Sequence, residues 1–187
     1  MSISISLKHS EQDFLAACIA GERWAQKQLY EEHYSLLMGV CLRYANNQDD
    51  AKDILHEGFI KILTHIGRYQ PGTSLIAWMR RIIVNTAIDY YRMQTRRRTE
   101  DLETAWEVQT GDPDALSQLT VQEIIGCIQQ LSPAYRSVFN LYIVEGYSHR
   151  EIADLLGITE STSRSNLVKA RLKLRELLSA TMGQYAK

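Results

Sequence analysis

The sequence predicts an all-α fold: two small helical domains joined by a flexible acidic linker, the C-terminal one containing a helix-turn-helix. Three observations carry this. Apolar residues recur at spacings of three, four and seven along most segments, and no alternating run reaches strand length beyond the first six residues. Charge is sorted into blocks, with net −2 over residues 1–79, +5 over 80–98, −7 over 99–130 and +3 over 131–187, so a formal total of −1 conceals two cationic regions flanking an acidic one. Finally, SHREIADLLGITESTSRSNLVKARLKLR, residues 148–175, carries the cap, stop and second cap of two helices joined by a tight turn.

The elements follow in order. The alternating MSISIS start reads as a frayed tail. EQDFLAACIA is a short helix ending near Gly21, and from Lys27 to Tyr44 the set Leu29, His33, Leu36, Leu37, Val40, Cys41 and Tyr44 keeps one face. A third helix spans Ala51 to Ile66, with Ile54, Leu55, Phe59, Ile62, Leu63 and Ile66 inward and Asp50, Asp53, Glu57 and Lys61 outward. Gly67 and Pro71-Gly72 end it. Ser74 caps a fourth helix from Leu75 to about Arg92, whose apolar set is Leu75, Trp78, Met79, Ile82, Ile83, Thr86, Ala87 and Tyr90. Its other face presents Arg80, Arg81, Asn85, Asp89 and Arg92, with Arg96, Arg97 and Arg98 beyond. Cations interleaved with aromatic rings suit phosphates and unstacked bases, although the same pattern also describes a solvated face over a core.

Residues 99–122 hold six acids and no Lys or Arg, and read as a tether. Self-repelling acids extend such a segment; at roughly 3.4 Å per residue it can reach about 80 Å. Its acids Glu100, Asp101, Glu103 and Glu107 are expected to fold back onto the two basic blocks in the free chain. Asp112-Pro113 and Ser132-Pro133 each pair a cap with a proline at the first helical position. The C-terminal unit, 113–187, is then four helices. Ser148 and Glu151 form a capping box, Gly157 is a left-handed stop, small Ala153 permits close approach, and Thr159 caps the last helix. That helix buries Leu167, Ala170, Leu174, Leu177 and Leu178. From 161 to 175 it carries Arg164, Lys169, Arg171, Lys173 and Arg175 with no acid, a cationic surface of the kind a major groove accepts.

Other classes fit poorly. His56-Glu57 begins like a zinc-protease HExxH, but position 60 is Ile, so the second ligand is missing. There is no phosphate-cradling glycine loop and no G-x-S-x-G, so the chain is not expected to be an enzyme, and no cofactor or metal is expected. Cys18, Cys41 and Cys127 are widely spaced and lie in apolar patterns, as buried thiols of a cytoplasmic protein do. No signal peptide or membrane span is visible. A conventional helix-turn-helix regulator remains the alternative; it accounts for 148–175 but leaves 49–98 without a role.

Three separated motifs give the chain a resemblance to bacterial RNA polymerase sigma factors of the extracytoplasmic-function group, from about Phe14 to Leu178. DDAKDILHEGFIKIL (49–63) resembles the helix that binds the clamp of the polymerase largest subunit. SLIAWMRRIIVNTAIDYYR (74–92) resembles the segment that opens DNA at the −10 element, and 131–178 resembles the domain that reads the −35 element. The resemblance implies binding to core RNA polymerase and promoter DNA by a chain that is monomeric when free, without membrane insertion, and it admits an anti-sigma factor as a partner. It implies domains at 1–98 and 113–187 with the linker at 99–112. It implies polymerase contacts from Asp50, Asp53, His56, Glu57 and Phe59. At the −10 element it implies contacts from Trp78, Arg80, Arg81, Asn85, Arg92, Arg96, Arg97 and Arg98, with Asn85 holding a flipped base. At the −35 element it implies contacts from Ser148, Thr162, Arg164, Ser165, Val168, Lys169 and Arg171. His56 stands where Gln is usual, Gly58 sits inside a helix, Ser163 replaces a common Val and Asn166 a frequent Arg. The last two bear on promoter preference.

Overall fold

The computed structural model describes residues 11–100 and 121–185. They form eight α-helices with no strand among them: α1 (Glu11–Ile19), α2 (Arg23–Tyr44), α3 (Gln48–His65), α4 (Leu75–Glu100), α5 (Val121–Gln129), α6 (Pro133–Phe139), α7 (His149–Leu156) and α8 (Glu160–Tyr185). A 3₁₀ turn (Ile66–Arg68) follows α3, and a π-helical turn (Asn140–Val144) continues α6. No described helix is long and apolar enough to cross a membrane. The MSISIS tail, the Asp112-Pro113 helix start and the acids expected to fold back lie outside the described residues or have no described side chain.

Local chemistry sets the helix boundaries. The Asn47 Oδ1 accepts from the Asp50 N–H at 2.8 Å, starting α3 three residues earlier than periodicity alone predicts. The Ser74 hydroxyl accepts from the Ala77 N–H at 3.3 Å. With no breaker before residue 100, α4 runs through the arginine block instead of stopping near Arg92. Ser132 caps α6 with Pro133 behind it. The Ser148–Glu151 capping box is complete, and Gly157 takes φ 67°, the left-handed conformation that lets the chain turn into α8.

The N-terminal half packs α2, α3 and α4 around Leu29, Leu37, Val40, Ile54, Leu55, Ile62, Met79 and Ile83, all buried, with Cys18 and Cys41 beside them as free thiols. Gly58 explains itself here. A Cβ at this position would meet the Ile83 Cδ1 at 2.4 Å, so the glycine is what lets α3 lie against α4. Leu36, expected inside, is 54% exposed. Val84 and Ile88, left out of the expected core face of α4, are buried, because that helix is covered by α2 and α3 and also by α6 and α7.

The two halves therefore meet. Val138, Leu141, Ile152, Leu156 and Leu167 join the apolar core of the N-terminal helices, while Cys127, Ile128, Leu131, Ala170 and Leu174 form a second cluster of their own. Polar groups also cross the seam. Gln129 donates to the Leu42 carbonyl at 3.0 Å, Asn140 donates to the Arg43 carbonyl at 2.6 Å, and the Arg136 guanidinium donates to the Asn46 side chain across the seam and, within its own half, to the Gln129 carbonyl at 2.9 Å.

Candidate nucleic-acid interface

The first surface is α3. Asp53, His56 and Glu57 are exposed on it, and Ile60, 65% exposed, lies beside them. Glu57 pairs with Lys61 at 2.9 Å. Asp50 and Phe59 stand apart from this face. The Asp50 carboxylate accepts from the Asn46 amide at 3.0 Å and bonds the Tyr90 hydroxyl. The Phe59 ring is buried, edge-on to Tyr30 at 4.7 Å between centroids. Each of the two braces the helix from behind.

The second surface is a cleft of about 500 Å³ between α3 and α4, lined by Lys61, His65, Arg68, Trp78, Arg81, Ile82, Asn85, Thr86 and Asp89. Asn85 is exposed at its wall. The Trp78 ring is half-buried and tilted on Tyr69, 5.8 Å between centroids, so one aromatic edge borders the cleft while the rest is held in the core. Lys61 lies between Glu57 at 2.9 Å and Asp89 at 3.3 Å, and these carboxylates raise its pKa despite partial desolvation. Arg81, Arg92 and Arg96 are exposed along α4, Arg92 lying 3.9 Å from Asp89; Arg97 and Arg98 occupy its last turn. Lys61, His65, Arg68 and Thr86 were not among the residues expected here. The i, i+4 pair of Lys61 and His65 next to a glycine–proline turn was the available signal, but nothing in the sequence aimed it at Asn85.

Arg80 departs most from expectation. Its guanidinium does not project freely with the other cations of α4. It lies 3.0 Å from the carboxylate of Glu145, which follows the π-helical turn of the other half.

The third surface is α8. Thr162, Arg164, Ser165, Val168, Lys169 and Arg171 are all exposed, on one side, with Leu167, Ala170 and Leu174 buried behind. Arg164 pairs with Glu160 one turn earlier. One residue weighed from sequence falls elsewhere. Ser163 is fully buried and bonds the His149 Nδ1 at 2.9 Å, fixing α7 against α8; it is a packing residue. The His149 ring stacks on Tyr142 at 4.4 Å, and desolvation followed by the charges of Arg164 and Arg171 lowers its pKa. Ser148 is exposed at the start of α7, where its hydroxyl donates to the Glu151 carboxylate at 2.7 Å and accepts from the Glu151 N–H at 3.3 Å.

A helix-turn-helix with an exposed cationic second helix, beside a basic helix-lined cleft, is the architecture of a DNA-binding transcription protein. The comparisons with known proteins narrow the class. The Sigma-70 region 2 pattern matches residues 29–97 and the Sigma-70 region 4 pattern matches residues 121–174. RNA polymerase sigma factor CarQ of Myxococcus xanthus is 32% identical over 162 residues, covering 84% of this chain and 91% of CarQ. ECF RNA polymerase sigma factor SigM of Mycobacterium tuberculosis (strain ATCC 25618 / H37Rv) is 27% identical over 171 residues, covering 91% of this chain and 86% of SigM. Among solved structures, the sigma factor RpoE from Bartonella quintana, determined in complex with the anti-sigma factor NepR, shares the fold with TM-score 0.53 and 23% identity over 82% of this chain and 96% of its own. The chain belongs to the extracytoplasmic-function group of the sigma-70 family, the RNA polymerase sigma factors that direct transcription from promoters.

Proposed function

We propose that this sigma factor docks on core RNA polymerase through the exposed face of α3, captures −10 DNA in the cleft around Asn85, and reads −35 duplex with α8. The domains on this reading are 1–98 and 113–187, with 99–112 between them. Asp53, His56 and Glu57 carry the polymerase contact, with Asp50 and Phe59 holding their helix. Arg81, Arg92, Arg96, Arg97 and Arg98 take phosphates, while Trp78 and Asn85 serve the captured base. On α8, Arg164, Lys169 and Arg171 supply charge, and Thr162, Ser165 and Val168 approach base edges.

The observation that carries this is the cleft. It joins a half-buried aromatic ring to an exposed amide and flanking cations, with room for an unstacked base. An amide can donate to and accept from a base edge at once, which lends it to base choice. NepR binds RpoE, and an anti-sigma protein of that kind is a fitting partner here.

Reconstitution with core polymerase tests the reading: the chain should support promoter-dependent transcripts. Asn85→Ala should lower open-complex formation about tenfold while leaving polymerase affinity unchanged, the loss of one good base contact being worth about 1–3 kcal/mol. Loss of polymerase binding instead would move the cleft to another role.

A further inference from the structure

The seam between the halves holds more buried polar chemistry than packing requires. The Glu145 side chain is only 9% exposed, with its Oε1 3.0 Å from the Arg80 Nη2 and 3.8 Å from the Arg43 Nη2. The carboxylate comes from the C-terminal half, whereas the guanidiniums come from α4 and α2. Along the same seam lie buried polar atoms with no hydrogen-bond partner: Arg43 Nε, Tyr44 Oη, Arg80 Nε, Arg136 Nε and Asn140 Oδ1. Every one of them is on a residue at or next to the seam. Desolvation lowers the Arg43 pKa, Glu145 opposes that fall, and Arg80 adds to it, so the two cations repel and the single carboxylate offsets part of that repulsion. Withdraw Glu145 and two adjacent guanidiniums are left without an anion.

The surroundings indicate which anion replaces it. A second cleft, of about 370 Å³, opens along the seam and is lined by Arg80, Arg81, Val84, Val144, Glu145 and Tyr147. Arg81 lines this cleft and also the one holding Asn85. Arg81 thus stands between the two clefts on adjacent faces of α4, and a strand with a base beside Asn85 would carry its neighbouring phosphates past Arg81 toward Arg80. Two guanidiniums converging on one oxygen form a phosphate-binding arrangement.

We propose that Arg43 and Arg80 form a binding site for a phosphate of the single-stranded DNA backbone, and that Glu145 occupies this site in the closed chain. DNA and Glu145 compete for the same two cations, so engaging the strand and parting the halves are one equilibrium. The proposal deepens the −10 reading and names Arg43 as a DNA contact that its half-buried place on α2 conceals.

The test uses the full chain and a fluorescein-labelled, mixed-sequence single-stranded oligodeoxynucleotide at low salt. Glu145→Gln should tighten binding about tenfold, the gain expected when a closed state holding nine-tenths of the molecules is released, and should enlarge the radius of gyration in small-angle scattering. Adding Arg43→Gln should abolish that gain and flatten the salt dependence by about 0.7 log units per log unit of salt, as for one lost phosphate contact. If Glu145→Gln unfolds, Glu145→Asp, with the carboxylate drawn back, should show an intermediate gain. Unchanged DNA affinity in a folded variant overturns the proposal, as does a gain that survives Arg43→Gln. Tightening toward a polyglutamate peptide alone would assign the pair to an acidic protein segment and also overturn it. Promoter-dependent transcription by the unaltered chain reports on the sigma reading separately, so the two can fail independently.

Discussion

At Gly58 helix propensity and packing pull in opposite directions. Alanine is favoured over glycine in a helix by about 1 kcal/mol, but its methyl would press on Ile83 in a filled core, where overpacking costs about 1–3 kcal/mol. Gly58→Ala should therefore lower the urea-unfolding free energy by about 1 kcal/mol. Ile83→Val removes the atom in the way, so in that background the same change should become neutral or stabilising. At Glu151 the decisive quantity is protonation. Hydrogen bonds from the Ser148 hydroxyl and N–H lower its pKa below the ordinary value near 4.5. Its contribution is thus fully present above that value and lost as pH falls through the lower, folded one. Melting curves of the unaltered chain and of Glu151→Gln should differ at neutral pH and converge only once the pH has fallen below that lowered value.

At the level of elements, α8 divides its labour. Leu167, Ala170 and Leu174 fasten it, the buried Ser163 ties it to α7 through His149, and the opposite side leaves Arg164, Lys169 and Arg171 exposed. Lys169→Ala should weaken binding to −35 duplexes of any sequence and reduce the salt slope by about 0.9. Filter binding across a salt series measures both. Most of these helices were legible in the sequence because their signals are local: caps at Ser74, Ser132 and Ser148, the left-handed Gly157, and apolar spacing. The length of α4 was not, since periodicity fades after Tyr90 while nothing actually stops the helix. The burial of Val84 and Ile88 was hidden for a different reason. What covers them comes from helices some fifty residues downstream, and no window along the chain contains both partners.

For the molecule as a whole, the halves are joined by apolar contacts and by a chain of polar ones. Arg136 is central to the latter. Burial pulls its guanidinium down to about 10, against the raising influence of Tyr90 and Asp50, yet it remains charged at neutral pH and binds across the seam to Asn46. Arg136→Ala would strand the Gln129 carbonyl and the Asn46 side chain and leave a void, and should cost about 3 kcal/mol in denaturant unfolding. Arg136→Met fills the space and should cost markedly less. The candidate site divided the same way as the fold. The cationic side of α8 could be read from charge and spacing within one helix. The occupancy of Arg80 could not, because Glu145 lies sixty-five positions away with nothing in the sequence to match the two.

The placement of Arg80 also affects how this protein should be improved in the laboratory. On the proposed competition between DNA and Glu145, one side chain both holds the resting shape together and serves the promoter, so the two properties would trade against each other. A library ranked by heat resistance would enrich variants that grip Glu145 harder, and those would be the weakest initiators. Selection should score transcripts, and a modest loss of melting temperature should count in a candidate's favour.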